Sequence, residues 1–296
     1  MATRQFLEND QIRLEFESRG AQLVRIYDKE RQQEVLWEGD PAFWGYHAPV
    51  LFPFVGKMFG GSYLYEGKHY EIGQHGFART TDFRLTGKTD TSITYELTES
   101  DETMRIYPFA FRFTVTQELK GKEINITWHV ENPSANEDLW FSVGAHPALR
   151  VPARSGEKKS DYWLSFHGLN NIPYISPDLA TGTAAVKKPQ VLETEDGYVR
   201  LKDHLFDIDT FIFRDYTLKK VSLCYPDRSP YVTILCEGFP FFGIWSKSDA
   251  APFVCLEPWH GCADDTGFTG ELPEKTGIRS LRPNETFETS YQILIH

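Results

Sequence analysis

The alternation of apolar and polar residues between positions 111 and 130 limits the fold more than any other feature of the chain. Apolar side chains recur at nearly every second position over 111–119 and again over 124–130, and Lys120-Gly121-Lys122 separates the two runs. Successive side chains of a strand point to opposite faces, so this pattern predicts a β-hairpin with one buried face. His129 falls on the polar face and is predicted to lie at the surface.

Short apolar runs separated by turn residues fill most of the remaining chain, and helical periodicity is nearly absent. Strands are predicted over 20–27, 33–37, 93–97, 139–143, 163–166, 210–213, 221–225, 231–236, 241–245, 253–257 and 290–295. Pro49 and Pro53 make 48–55 a loop or an edge strand, and 173–200 is predicted to be a long loop with short strands. The sequence therefore predicts an all-β fold, a large β-sandwich, in a single domain over residues 1–296.

Charge and cysteine content narrow the class of partner and the compartment. A formal net charge of -11 opposes binding to nucleic acid or to an anionic membrane. No apolar leader follows Met1, and no apolar run is long enough to span a membrane, so we expect a cytoplasmic protein. The four cysteines form no C-x-x-C pair and are expected to be reduced thiols.

His146 is the first candidate for chemistry, because it ends the apolar run Phe141-Ser142-Val143-Gly144-Ala145. Pro147 cannot donate to a sheet ladder and restrains His146 to extended geometry, so the side chain is predicted at the rim of a strand. Histidine exchanges protons near neutral pH, which suits catalysis. A structural histidine with satisfied hydrogen bonds is the alternative for this residue taken alone.

Glu257 is the second candidate, since it ends the run Phe253-Val254-Cys255-Leu256. A period of two places it on the same face as Phe253 and Cys255, and we expect a half-buried carboxylate there. Burial without a partner raises the pKa of a carboxyl and makes a general base near neutral pH. The alternative is a glutamate that is neutralised by a nearby arginine.

Five further polar or aromatic residues are candidate site positions, each with an ordinary structural alternative. They are Lys57 in a glycine-rich turn, His75 and Arg79 in a loop, Asp209 at the mouth of an apolar strand, and Trp245 at the end of another strand. Arginine binds carboxylates, phosphates or sugar hydroxyls through several donors. A surface lysine, a polar loop, a turn-forming aspartate and a core tryptophan are the corresponding structural interpretations.

Two other kinds of site receive little support from the spacing of these residues. Histidines with a glutamate can bind zinc or iron, but the chain contains no H-x-H and no H-E-x-x-H motif. It also lacks the G-x-S-x-G elbow of serine hydrolases.

Taken together, these motifs resemble the aldose 1-epimerases, or galactose mutarotases, over more than 200 residues. The matching segments, in the family's order, are Gly20-Ala21-Gln22-Leu23, Glu34-Val35-Leu36-Trp37, Gln74-His75-Gly76-Phe77-Ala78-Arg79, His146-Pro147, Asp209 and Leu256-Glu257-Pro258. The resemblance implies a β-supersandwich fold. It also implies a site without metal or cofactor that acts on a small sugar.

The resemblance further implies a role for each site residue. Glu257 would be the base that takes the proton of the anomeric hydroxyl, and His146 would be the acid that protonates the ring oxygen. His75 and Arg79 would bind ring or exocyclic oxygens, and Asp209 would bind sugar hydroxyls. A mutarotase that interconverts the α and β anomers of a hexose is therefore the predicted function.

Two departures from the family keep other functions open. Well-studied sugar mutarotases have an arginine where this chain has Val55-Gly56-Lys57-Met58, and they have aromatic and asparagine residues where it has Ala148 and Leu149. The His-Gly-Phe-Ala-Arg loop is similar to the hexose-6-phosphate branch of the family. A hexose-6-phosphate 1-epimerase, with Lys57 and Arg79 beside the phosphate, and a non-catalytic carbohydrate-binding protein are the alternatives.

Overall fold

The computed structural model describes residues 3–296 of the chain. It is 45% strand and 6% helical, which confirms the prediction of an all-β fold. No helix among these residues is long and apolar enough to cross a membrane.

The strands, in chain order, have the following bounds. They are β1 (Arg4–Glu8), β2 (Ile12–Glu17), β3 (Gln22–Asp28), β4 (Gln33–Glu34), β5 (Val50–Leu51), β6 (Ser62–Tyr65), β7 (Lys68–Glu71), β8 (Arg84–Lys88), β9 (Ser92–Thr98), β10 (Arg112–Lys120), β11 (Glu123–Glu131), β12 (Leu139–Phe141), β13 (Val143–Ala145), β14 (Ala148–Arg150), β15 (Trp163–Ser165), β16 (Ile172–Tyr174), β17 (Gln190–Leu192), β18 (Tyr198–Arg200), β19 (Phe211–Phe213), β20 (Lys220–Cys224), β21 (Pro230–Leu235), β22 (Phe241–Trp245), β23 (Phe253–His260), β24 (Arg279–Leu281) and β25 (Thr286–Ile295). The helices are α1 (Asp101–Ile106) and the 3-10 turns Phe59–Gly61, Ala78–Thr80, Lys159–Asp161 and Leu272–Glu274.

Two antiparallel sheets are the largest in the molecule, beside a four-stranded sheet of β1–β4 and three two-stranded sheets. The larger has nine strands in the order β18-β15-β20-β21-β25-β11-β10-β9-β8, and the smaller has six, in the order β19-β22-β23-β13-β5 with β14 also paired to β23. Phe52, beside the smaller sheet, stacks on Phe113 of the larger one with ring centroids 4.5 Å apart. This contact lies in the main apolar core, which contains buried residues from both sheets.

The hairpin predicted from alternation is confirmed as β10 and β11. Phe113 pairs with Val130 and Leu119 with Ile124, and all four side chains are buried. The segment 48–55 contributes β5 at the edge of the smaller sheet, as the two prolines indicated. The region 173–200 contains the short strands β17 and β18, and β16 ends within it.

The prediction of one strand over 139–143 is wrong, because β12 and β13 belong to different sheets. The chain changes sheet at Ser142, whose N–H donates to the Pro53 carbonyl at 2.7 Å. The Ser142 hydroxyl also accepts from the Val55 N–H at 2.8 Å. These long-range bonds replace ladder bonds, and the local sequence gives no sign of them.

Helix α1 is another feature that the sequence pattern did not predict. Ser100 caps it by accepting from the Thr103 N–H at 3.3 Å, and the Thr103 hydroxyl accepts from the Ser100 N–H at 2.9 Å. This reciprocal capping box stabilises a helix of six residues, which is too short to show a helical period.

Strand β23 is the central element for the site, and each of its residues is buried. On one side it pairs with β22, where Gly243 stands opposite Glu257. A side chain at Gly243 would collide with Trp259, since a Cβ there would lie 2.3 Å from the indole. The glycine therefore lets the Trp259 ring lie flat against the sheet beneath the site.

A buried ion pair holds the loop that follows β23. Lys275 Nζ lies 2.9 Å from Asp264 Oδ1, and both side chains are almost inaccessible to solvent. Lys275 also donates to the Cys262 carbonyl at 2.7 Å. Asp264 in turn accepts from the Phe59 N–H at 2.8 Å and donates its own N–H to the Lys57 carbonyl at 3.0 Å. The pair thus joins this loop to the turn that carries Lys57.

Replacing Lys275 should destabilise the protein strongly, because Asp264 would remain buried without its partner. We expect Lys275→Met to lower the free energy of unfolding by about 3–5 kcal/mol, measured by urea denaturation. Lys219→Met is the matched control, since the Lys219–Glu237 pair lies at a similar 2.9 Å but is exposed. The control substitution should lower the free energy of unfolding by no more than about 1 kcal/mol. Equal losses in the two variants would contradict the assigned role of the buried pair.

Candidate active site

All seven residues singled out from the sequence line one cavity of about 430 Å³ at the edge of the smaller sheet. They are Lys57, His75, Arg79, His146, Asp209, Trp245 and Glu257. The cavity wall also includes residues that were not singled out, among them Phe43, Trp44, Gln74, Lys247 and Trp259.

Strand register brings His146 and Glu257 together. Gly144 of β13 pairs with Trp259 of β23, and Ala148 of β14 pairs with Cys255. Two residues inward from either pair, His146 stands opposite Glu257. Their side chains meet with Nε2 of the imidazole 3.3 Å from Oε2 of the carboxyl. His146 thus lies at the end of a strand, as predicted.

Glu257 is buried more deeply than the sequence predicted. The expected half-buried carboxylate is 1% exposed, because β23 is paired along both edges. No arginine or lysine lies within 4.0 Å of it among residues 3–296, so the alternative of an arginine-neutralised glutamate is wrong. Neither carboxyl oxygen, nor Nδ1 of His146, has a hydrogen-bond partner in that range.

Burial sets the protonation state of the pair. It raises the pKa of Glu257 well above its ordinary value, and the nearby Asp209 carboxylate raises it further. Burial also lowers the pKa of His146 to about 3, with the Arg79 guanidinium acting in the same direction. Burial therefore favours the neutral form of both groups, a protonated carboxyl beside an uncharged imidazole.

Hydrogen bonds to the backbone fix the tautomer of His75. Its Nδ1 accepts from the Gly56 N–H at 3.0 Å, so this nitrogen carries no proton. Burial lowers the pKa of His75 well below its ordinary value, with His146 and Arg79 adding to the effect. The neutral ring therefore carries its proton on Nε2, which lies 3.2 Å from the Gln74 side-chain amide and can donate only to the oxygen of that amide. His75 can donate a hydrogen bond but cannot act as an acid at neutral pH.

Three cations line the cavity without an acidic partner. Arg79 donates to the Gln74 carbonyl at 2.9 Å and lies over the Tyr46 ring at 4.9 Å. Lys57 packs its alkyl chain beside Gly182, and Lys247 is exposed at the rim. Within the described part of the chain, no carboxylate lies within 4.0 Å of any of the three. Their charges therefore remain available to a ligand.

Asp209 lies at the rim, two residues before β19, and its side chain is exposed. Its backbone has a positive φ of 71°, and its carboxylate accepts from the Thr210 hydroxyl at 2.7 Å. The remaining carboxylate lone pairs can accept hydrogen bonds from a polar ligand.

Aromatic rings enclose the imidazole of His146. Trp44 stacks on it at a centroid distance of 4.7 Å, and Trp245 meets it edge-on at 5.6 Å. The Trp44 carbonyl accepts from the Trp37 indole at 2.9 Å, which anchors the loop that carries Trp44. Trp44 was not singled out from the sequence because its loop has no strand period. The only local sign was the density of aromatic residues between 37 and 46.

One group of potential metal ligands occurs among residues 3–296. It comprises His146, Cys255 and Glu257, whose donor atoms all lie within 4.8 Å of one another. All four cysteines of the chain are free and buried.

Comparison with known proteins identifies the family. The model of the aldose 1-epimerase family matches residues 4–292. The chain belongs to the aldose 1-epimerase family. This confirms the resemblance seen in the sequence, and it makes the protein an isomerase with a mutarotase-like or epimerase-like function on a sugar.

Several similar proteins come from lactic acid bacteria. The chain is 29% identical to the chromosomal protein LacX of Lactococcus lactis, over 98% of each chain. A galactose mutarotase related enzyme from Lactobacillus acidophilus superposes with a TM-score of 0.93 at 33% identity, covering 99% of this chain and 97% of that one. A galactose mutarotase-like protein from Lactobacillus casei superposes with a TM-score of 0.90 at 28% sequence identity, covering 99% of this chain and 100% of that one. These neighbours confirm the mutarotase-like β-sandwich.

Removing the buried carboxyl should stabilise the protein at high pH. The native carboxyl of Glu257 keeps its proton after the glutamate of the unfolded chain has ionised, so the free energy of unfolding falls as pH rises above 4.5. Glu257→Gln lacks this loss. We therefore expect the Tm of the variant, relative to the natural chain, to increase from pH 4.5 to pH 8 in thermal scans.

The exposed Glu237 supplies the control for this comparison, because Glu237→Gln also removes one carboxyl. The difference in Tm between that variant and the natural chain should stay constant over the same pH range. A Glu257→Gln variant that loses stability as pH rises would contradict the burial argument.

Proposed function

We propose that the enzyme interconverts the α and β anomers of a hexose by general acid–base catalysis. The single observation that carries this proposal is the 3.3 Å separation of His146 Nε2 and Glu257 Oε2. The ring oxygen and the anomeric hydroxyl of a hexose are bonded to the same carbon. An acid and a base that serve both oxygens at once must therefore be close neighbours, as these two groups are.

The proposed reaction begins with the pair in its ionic form, Glu257 carboxylate and His146 imidazolium. Moving the single proton from the carboxyl to the imidazole produces this form without changing the net charge of the site. Hydrogen bonds from sugar hydroxyls to the unpartnered oxygens of Glu257 favour the carboxylate. Binding of the sugar thus prepares the base and the acid together.

Ring opening and closure then follow with a balanced exchange of protons. Glu257 takes the proton of the anomeric hydroxyl while His146 protonates the ring oxygen, the C1–O5 bond breaks, and a C1 aldehyde forms. Rotation about C1–C2 presents the other face of the aldehyde. The C5 hydroxyl attacks it, His146 takes the hydroxyl proton, and Glu257 returns its proton to the new anomeric oxygen.

The remaining cavity residues would orient the sugar. The Nε2–H of His75 and the guanidinium of Arg79 donate to its oxygens, and Asp209 accepts from its hydroxyls. Trp245 offers an apolar ring for the C–H face of the sugar. Trp44 holds the plane of the His146 ring, which keeps Nε2 directed toward Glu257.

Removing either member of the pair should slow anomer exchange strongly. We expect Glu257→Gln and His146→Asn each to lower the catalysed rate by about 10²–10⁴-fold, which is the usual effect of a placed acid or base. Polarimetry or NMR exchange spectroscopy on a panel of sugars measures this rate. The double variant should lose far less than the product of the two losses, because the groups act as a unit.

Folding and sugar binding, followed by circular dichroism and calorimetry, are the controls for these variants. A variant that binds sugar but does not catalyse supports a catalytic role for the replaced residue. Near-natural rates in either single variant would reject that residue's role. Sugar binding by the natural chain without any anomer exchange would favour the non-catalytic alternative.

A hexose 6-phosphate is the second candidate substrate. The three cations without acidic partners favour it, because the net charge of -11 otherwise repels an anion from the cavity. Arg79 can bind a phosphate through two parallel hydrogen bonds, and Lys57 and Lys247 can act as point charges beside it.

Salt dependence separates the two candidate substrates. For a hexose 6-phosphate, kcat/KM should fall as ionic strength rises, because screening weakens the attraction of the three cations. Arg79→Ala should lower kcat/KM for the phosphate by about 10–100-fold more than for the free hexose, the value of a charged hydrogen bond.

Lys219→Met, at an exposed lysine outside the cavity, is the control for loss of one positive charge. This variant should have the same kcat/KM as the natural chain for both substrates. Faster exchange of the free hexose with no salt effect would exclude the phosphate.

A further inference from the structure

Cys255 lies beside the proposed acid–base pair but has no part in the proposed reaction. It precedes Glu257 by two residues on β23, so both side chains lie on the same face of the strand. It stands opposite Ala148 on one side and Trp245 on the other. Cys255 is fully buried and is not among the residues that line the cavity.

The three neighbouring donors form the ligand set of a thiophilic divalent cation. An imidazole nitrogen, a thiol sulfur and a carboxyl oxygen lie within 4.8 Å of one another. Zinc binds these three donor types at about 2.0–2.3 Å, which sets neighbouring ligands of a tetrahedral site roughly 3.5 Å apart. His146 Nε2 and Glu257 Oε2 already stand at 3.3 Å, and the Cys255 sulfur lies within 4.8 Å of a donor atom of both residues.

The carboxyl oxygens of Glu257 are not committed to other protein groups. Both oxygens of Glu257 lack hydrogen-bond partners among residues 3–296, although the side chain is buried. The buried Asp264, in contrast, has Lys275 beside it. Buried carboxyl oxygens without partners are costly, and a bound cation would satisfy them.

A divalent cation would bring two positive charges into this buried region. Metal binding requires a thiolate and a carboxylate, so the two ligands would offset that charge. His146 and Glu257 line the cavity, which gives the ion a path of entry.

We propose that His146, Cys255 and Glu257 bind Zn²⁺ or a similar thiophilic divalent cation, and that the bound ion inhibits the enzyme by occupying the acid–base pair. The inhibition rests on the function proposed above, whereas the binding does not. Cys255 supplies specificity for thiophilic ions, because Mg²⁺ and Ca²⁺ prefer oxygen ligands.

Binding is tested with Co²⁺ and Zn²⁺ on the metal-free protein, without sugar. We expect one Zn²⁺ per chain by elemental analysis after dialysis, and a thiolate-to-cobalt charge-transfer band with Co²⁺. Cys255→Ser should abolish the band and lower zinc affinity by at least about tenfold, since even outer partners of a ligand are worth 10–100-fold. Cys236→Ser, at a buried cysteine in the main core, should change neither property.

Inhibition is tested by anomer exchange in the presence of increasing Zn²⁺. Zinc should slow the natural enzyme, and a chelator should restore the rate. Cys255→Ser and Cys255→Ala should retain catalysis but need at least about tenfold more zinc for the same inhibition. Mg²⁺ at the same concentrations should have no effect.

Two results would overturn the proposal. One is a charge-transfer band or zinc stoichiometry that Cys255→Ser and Cys255→Ala leave unchanged, with folding verified by circular dichroism. The other is zinc inhibition of equal strength in the natural enzyme and both variants. Absence of anomer exchange with every sugar would instead refute the proposed function, and the cobalt spectrum would still decide the metal site.

Discussion

The contact between His146 and Glu257 depends on the register of β13 and β14 against β23. One set of antiparallel pairings places Gly144 opposite Trp259 and Ala148 opposite Cys255, so the histidine between them can only face the glutamate. Pro147 has no N–H to donate to the ladder at this point, although its carbonyl still accepts from the Leu256 N–H at 3.3 Å. A slip of one residue would direct either side chain to the opposite face of the sheet and separate the pair.

Deep burial shifts the pKa values of His146 and Glu257 and also makes the pair destabilising to the fold. Pairing of β23 along both edges removes water from Glu257, and the rings of Trp44 and Trp245 do the same for His146. Each group therefore prefers its neutral form, which leaves one proton for two adjacent acceptors. The same desolvation leaves the carboxyl oxygens of Glu257 without hydrogen-bond partners. A sugar or a cation that binds these oxygens therefore gains binding energy. Burial of this pair thus destabilises the fold, and the same burial favours the proposed binding and catalysis.

Prediction from the sequence succeeded where structure follows a local period. The β10–β11 hairpin, the edge position of β5 and the shared face of Cys255 and Glu257 all follow from alternation or from proline chemistry. It failed where distant hydrogen bonds replace a local pattern, as at Ser142, and where a capping box stabilises a helix too short to show a period, as in α1. The loop of Trp44 has no period at all.

By itself, the sequence determined the fold class, the family resemblance and the residue types available for acid–base chemistry, because strand faces and motif order are local properties of the chain. It could not determine how far Glu257 is buried, which partner it meets, or that Lys57, Arg79 and Lys247 remain without acidic neighbours. Only the tertiary structure decided these points. Register, burial and charge pairing depend on contacts between residues distant in sequence, such as His146 and Glu257, and these contacts exist only once the sheets have formed.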